Sequence, residues 1–202
     1  MYKKSNDISF GHLLKNLGIW VNILITINAG AIIGFNTTTL ELHLHAIAKL
    51  KAWMVGLIFL SAGIALISSN YLWEWLAHSL VKNKLFISMA GCIVLLIGLT
   101  IIGPIPIIDI KPQLYLVIIA QVLLGLGISA LLVGTFTHGT KELINCGYPQ
   151  TPAITALLST ILTTFEAFGD AAGSIFGGYL FDEFSYGDSS FLYFGMQLVL
   201  VN

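Results

Sequence analysis

Five runs of about 20 apolar residues constrain this chain more than any motif in it, because a helix of roughly that length crosses the hydrocarbon core of a bilayer. They cover Leu17 to about Leu42, Ala52 to about Leu72, Leu85 to about Ile108, Leu114 to about Phe136, and Thr155 to about Leu180. Lipid offers the backbone no hydrogen-bond partner, and a helix supplies its own. The expected fold class is therefore an all-α integral membrane protein with several passes. Composition agrees: 9% of residues are charged and the mean hydropathy is +0.89, where a soluble domain carries about 25% charge. The second run continues amphipathically towards Leu80. A sixth opens at Phe191 and stops at Asn202, too short to cross, so a truncated last span is expected. Residues 1–16 are polar and lack a small-residue cleavage pattern, so they read as a cytosolic lead-in and not as a signal peptide.

Lysines set the expected orientation. With the N-terminus inside, the cytosolic segments hold Lys3, Lys4, Lys15, Lys82, Lys84 and Lys141, and the outer loops hold Lys49, Lys51 and Lys111. That asymmetry favours a cytosolic N-terminus. A net charge of −1 with no basic cluster gives no footing for a nucleic-acid partner. The chain has no arginine at all, so bidentate guanidinium recognition of phosphate or carboxylate is excluded.

The fifth run, TALLSTILTTFEAFGDAAGSIFGGY, carries the chemistry. Successive residues on a helix turn by about 100°, which puts Thr155, Ser159, Thr163, Glu166, Asp170, Gly173 and Gly177 on one face. Leu157, Leu158, Ile161, Phe165, Phe168 and Ile175 take the other. A carboxylate at the bilayer centre costs a few kcal/mol or more, so Glu166 and Asp170 are expected to face a protein-lined, wet cavity. Gly169, Gly173, Gly177 and Gly178 would let a neighbouring helix approach closely.

Other polar residues are more scattered. Asn22, Thr26 and Asn28 in the first run do not form one stripe, and either line a cavity or bond helix carbonyls. Asn36, Thr37, Thr38, Thr39 and Glu41 gather towards its end, and Gln121 is the one strongly polar residue inside the fourth run. Asn28, Asn36 and Gln121 are candidates to line the same path as the two acids. His43 and His45 are metal ligands in kind, but at this spacing they share a side only on a strand and no further ligands follow, so no metal site is expected. Trp73 and Trp75 fit an interfacial aromatic belt, with Glu74 and His78 as i, i+4 partners. Cys92 and Cys146 sit in unlike contexts and suggest packing, not a disulfide or zinc. There is no GxSxG, HExxH or P-loop spacing, so no catalytic residue, no cofactor and no enzyme activity are expected.

Three runs together resemble the C-terminal half of a major facilitator superfamily transporter, of the vesicular amine and polyamine branch. VGLIFLSAGIALISS (Val55 to Ser69) resembles that branch's eighth helix, and GPIPIIDIKPQLYLVIIAQVLLGLG (Gly103 to Gly127) its ninth-to-tenth loop and tenth helix. Gly169-x-x-x-Gly173-Ser174-x-x-Gly177-Gly178 is similar to the GxxxGPxxGG pattern of the eleventh, with Ser174 where the pattern has proline. Of the family's loop after the eighth helix, Leu76-Ala77-His78 remains, with Lys82 and Lys84 as its basic residues. The branch's eleventh-helix aspartate falls near Thr163, so Glu166 and Asp170 lie one and two turns further on.

The resemblance implies a six-helix half of a transporter, its last helix truncated, in a vesicle membrane. It implies proton-coupled exchange of an organic cation such as a polyamine or monoamine. Its partners would be lipid, protons, the cationic substrate and an N-terminal six-helix half that this chain does not contain. Such transporters rock two halves about a central site, so the other expectation is a non-transporting fragment or a pseudo-transporter that acts as a binding partner.

Overall fold

Each of the five apolar runs becomes one long helix. The computed structural model describes residues 17–47, 50–79, 85–102 and 113–183, together with Ser190, Tyr193 and Gly195. The lead-in, residues 103–112 and nearly all of the sixth run lie outside these. The helices are α1 (Leu17–Ile47), α2 (Ala52–Ser79), α3 (Leu85–Ile102), α4 (Leu114–Asn145) and α5 (Pro152–Glu183). All five are long and apolar enough to cross a membrane. The protein is an all-helical, multi-pass integral membrane protein.

Two helices run past the end of their apolar composition. α4 continues from Phe136 to Asn145, and there its threonine hydroxyls are satisfied within the helix: Thr137 Oγ1 donates to the Val133 carbonyl at 2.7 Å and Thr140 Oγ1 to the Phe136 carbonyl at 2.8 Å. Leu143 keeps the buried stripe going for another two turns. The helix then closes on Gly147, whose φ of 82° is the left-handed stop that only glycine adopts at no cost. The Gly147 and Tyr148 amides satisfy the last carbonyls, at Ile144 and Leu143. Pro152 opens α5 at the position where its missing N–H is no loss. α1 likewise continues to Ile47, so His43 and His45 lie on a helix, the first buried and the second exposed beside Glu41.

α4 is the hub, packing against α3, α2 and α1, while α1 lies along the whole of α5. Burial follows: 56% of the α1 and α4 spans is inside the protein, against 22% for α2 and 28% for α5. The main core joins Ile25, Ile32 and Phe35 of α1 to Ile58 of α2, Leu95 and Leu99 of α3 and Leu124 and Leu131 of α4. A smaller one, Ile19, Ile23, Leu143, Ile154, Leu158 and Ile161, ties α1, α4 and α5 at the end that holds the α4–α5 turn. Trp73 is buried against this bundle: its indole N–H donates to the Leu126 carbonyl at 3.0 Å and pins α2 to α4. Exposed Trp53, Leu57, Leu60, Ile64, Ile67 and Trp75 leave the other side of α2 apolar, as a lipid-facing helix requires.

Candidate functional site

The site is built from the way α5 meets α1. A Cβ on Gly173 would overlap the Ala31 carbonyl oxygen and lie 2.6 Å from Ala31 Cα, and one on Gly169 would overlap the Ile27 carbonyl. The relation is mutual: a Cβ on Gly30 would strike the Glu166 carbonyl, and one on Gly34 the Asp170 carbonyl. Two glycine ladders thus interlock backbone to backbone. The α1 half, Gly30-x-x-x-Gly34, is legible in the sequence by its spacing alone. Ser174 Oγ adds a hydrogen bond across the seam to the Gly34 carbonyl at 3.3 Å. The Tyr193 hydroxyl donates to the Gly173 carbonyl at 3.2 Å, with its ring stacked on Phe35.

This seam holds the backbone at Glu166 and Asp170 directly against α1. Both side chains leave from the adjoining flank and are half-buried. Glu166 enters the wall of a cavity of about 410 Å³ that α4 floors and α2 and α5 flank. Its polar lining is Asn70 and Glu74 from α2, Thr135 and Thr137 from α4, and Ser159 and Thr163 from α5, with Phe136 among the apolar groups. Thr137 and Ser159 also border a second space of about 830 Å³, which leads past His78 and Lys141 to Tyr148 and Gln150 in the α4–α5 turn. The two spaces meet at Thr137 and Ser159, so a largely apolar groove with scattered polar side chains runs from that end of the bundle to Glu166, near the middle of α5.

Asp170 lies one turn beyond Glu166, outside the cavity wall. Gln121 is wholly buried and forms a reciprocal amide pair with Asn36. Asn36 Nδ2 donates to Gln121 Oε1 at 3.0 Å, and Gln121 Nε2 to Asn36 Oδ1 at 2.8 Å. The pair locks α1 to α4, and each amide supplies what the other would otherwise lack. Asn28 is buried too, and neither its amide nitrogen nor its oxygen has a hydrogen-bond partner among the described residues. The structure thus brings together Glu166 with the Ser159–Thr163 flank, and separately Asn36 with Gln121.

Two groups were not legible as part of a site. Glu74 and Asn70 line the cavity from α2, a helix whose sequence spacing gives no sign that it faces α5. Asn70 is held by Ser129, whose hydroxyl donates to its Oδ1 at 2.5 Å. His138 of α4 is the other: its Nδ1 lies 3.1 Å from Asn22 Oδ1 of α1, and its Nε2 3.9 Å from Glu142. Across the described residues, no three histidine, cysteine or acidic side chains gather closely enough to hold a metal ion.

No family model matches the chain. Three curated proteins do. The MFS-type transporter SLC18B1 of mouse is 23% identical over 177 residues, 86% of this chain and 37% of that protein. The human protein of the same name is 26% identical over 157 residues, 76% of this chain and 34% of its own length. The rat one is 24% identical over 182 residues, 88% and 39%. The chain thus spans a little over a third of the relatives it matches. It resembles the MFS-type transporters named SLC18B1, over a length consistent with their C-terminal half.

Proposed function

We propose that this chain is the C-terminal, six-helix half of a secondary transporter that exchanges protons for an organic cation, such as a polyamine or monoamine, across a vesicle membrane. The observation that carries this reading is Glu166, a carboxylate at the middle of a membrane helix, on the wall of a cavity that the hydroxyls of Ser159, Thr163 and Thr137 also border. Among the described residues its side chain makes no hydrogen bond and no ion pair with a cation. A charge left so placed is costly in a membrane unless it binds a cation or a proton in turn. The relatives' names support transport.

In this reading Glu166 and Asp170 alternate between proton and substrate. They are one turn apart, so each feels the other's charge, and a proton or an ammonium relieves both. The hydroxyls of Ser159, Thr163 and Thr137 would replace part of the hydration of an incoming ammonium. Asn36 and Gln121, bonded to each other here, and buried Asn28 would line the path where α1 and α4 part. Gly169, Gly173 and Gly177 keep α1 and α5 moving as one body, while Gly178 lies just past the close contact. A second six-helix half would close the open side of the groove and supply the partner for alternating access. With the orientation that the lysines favour, the groove opens to the cytosol.

The test is uptake of labelled spermidine, driven by a pH gradient, into vesicles bearing the protein that contains this chain. Changing Glu166→Gln and Asp170→Asn together should abolish it while leaving the protein in the membrane. Unchanged uptake by the double variant would remove both acids from the coupling.

A further inference from the structure

We propose that the Asn22–His138–Glu142 cluster between α1 and α4 is a proton-sensitive clasp, closed while His138 is neutral and released when its imidazole takes up a proton. No substrate is involved, so the clasp stands or falls apart from the cation path.

Among the described residues, side-chain hydrogen bonds tie α1 to α4 at two levels, and the two differ in kind. Asn36 and Gln121 exchange two amide bonds and include no ionisable group. Towards the α4–α5 turn, Asn22 Oδ1 and His138 Nδ1 lie 3.1 Å apart, and both residues are buried. Asn22 Nδ2 is buried with no hydrogen-bond partner, so this clasp hangs on a single bond. With the Asn22 oxygen towards the ring, the neutral imidazole carries its hydrogen on Nδ1 and turns a bare Nε2 to Glu142, 3.9 Å away.

Glu142 is partly exposed, so a proton reaches Nε2 from water at that end. Nε2 then becomes a charged donor, and such a bond to a carboxylate closes to about 2.8 Å. The carboxylate is itself anchored. Its Oε1 accepts from Asn145 Nδ2 at 3.4 Å, and it lies against α1 at Gly18, where a Cβ would be 3.0 Å from Oε2. The ring must therefore swing roughly an ångström towards Glu142, at the expense of its bond to Asn22. Burial pushes the same way, since a charge costs more inside the bundle than beside a partly exposed carboxylate. The charged groups close to the ring are Glu142 and Lys141, both on α4. Facing it, residues 17–26 of α1 and 152–162 of α5 hold no ionisable side chain, and Tyr148 of the turn is packed in the small core. The glycine seam locks α5 to α1, and α5 touches α4 far less. Release at this clasp thus moves α1 and α5 together, away from the floor of the cleft.

The test uses the full chain in lipid nanodiscs, with nitroxide labels on exposed Cys146 and on Leu17→Cys, and with Cys92→Ala to leave no other thiol. Electron spin resonance reads the α1–α4 separation at about pH 7.5 and about pH 5.5, either side of the ordinary histidine value. On acidification the labelled chain should open by about 1–2 Å, the size of helix shifts in other switches. His138→Gln keeps an amide donor for Asn22 but takes up no proton, so its separation should be the same at both values. Glu142→Gln removes the charge that draws the ring, and the opening should largely disappear. Opening that persists in full in His138→Gln, or its absence from the labelled chain, overturns the clasp. If Glu142→Gln opens as widely as the labelled chain, the pull of Glu142 is refuted and the clasp with it. Helix content by circular dichroism checks that each variant is folded, and His138→Asn replaces His138→Gln if the latter is not.

Discussion

The two sides of α5 put the same helix to opposite uses. Along Gly169, Gly173 and Gly177 it meets α1 so closely that no side chain fits between the backbones. Along Ser159, Thr163 and Glu166 it turns hydroxyls and a carboxylate to an open space shared with α2 and α4. In a membrane the apolar effect gives helices little reason to associate, so close packing and hydrogen bonds must do it. The seam supplies that packing, and the cleft is where packing is absent. The glycine seam fixes the backbone at Glu166 while the adjoining flank leaves its carboxylate unpacked beside the cleft. The comparison teaches that rigidity on one side of α5 is the condition for polarity on the other.

The largest effect is expected from breaking the seam at its centre. Gly173→Ala would place a Cβ against the Ala31 carbonyl and 2.6 Å from Ala31 Cα. The obstacle is backbone, which cannot rotate away, so α1 and α5 must separate along their length. Overpacking of this kind costs about 1–3 kcal/mol. Thermal unfolding in detergent should show a clearly lower midpoint than the unaltered chain. A midpoint that stays put would mean that the two helices slide past the added methyl, and the seam would not be the rigid side.

The seam and the cleft were not equally legible. The five spans followed from apolar length alone, because bilayer thickness sets that length whatever the packing. The α5 ladder and its acids followed from helical period, which fixes which residues share a face. What lies opposite a face depends on how helices are arranged, and that is a tertiary matter. The pairing of α5 with α1 was therefore hidden, although Gly30 and Gly34 carry the matching spacing. So was Glu74, which joins Glu166 only because α4 holds α2 beside α5. The end of α4 was hidden for another reason. Its last two turns are polar, and hydropathy stops at Phe136 while burial of His138, Gly139 and Leu143 carries the helix on. Gln121 and Asn36 were legible as polar residues inside spans, but their mutual bonding was not, since 85 residues separate them.

The cleft side should respond in the other currency. Thr163 is exposed, and its hydroxyl bonds back to the Ser159 carbonyl within α5. Thr163→Leu removes that local bond and puts an alkyl group into the space beside Glu166. Exposed substitutions of this type change stability by about 0.5 kcal/mol or less, so the unfolding midpoint should hardly move. Binding of 1,4-diaminobutane should weaken by about tenfold, since the added group displaces the ammonium from its carboxylate. If Thr163→Leu instead destabilised the chain as much as Gly173→Ala, the cleft would be a packed surface and the contrast between the two sides would collapse.

The smallest effect marks where the seam ends. Gly178 follows Gly177 on the same helix, but a Cβ there would meet only Thr38 Cγ2, at 3.7 Å, an ordinary contact. The two terms that decide the sign can therefore be separated. Alanine is the better helix former by about 1 kcal/mol in water, and part of that gain survives where no backbone blocks the methyl. Nothing at Gly178 offsets it, whereas at Gly173 the clash with Ala31 exceeds it. Gly178→Ala should thus raise the unfolding midpoint slightly or leave it level, with amine binding unchanged, while the same one-carbon change five residues earlier lowers it. A loss of stability at Gly178 as large as at Gly173 would extend the close contact past Gly177 to Thr38.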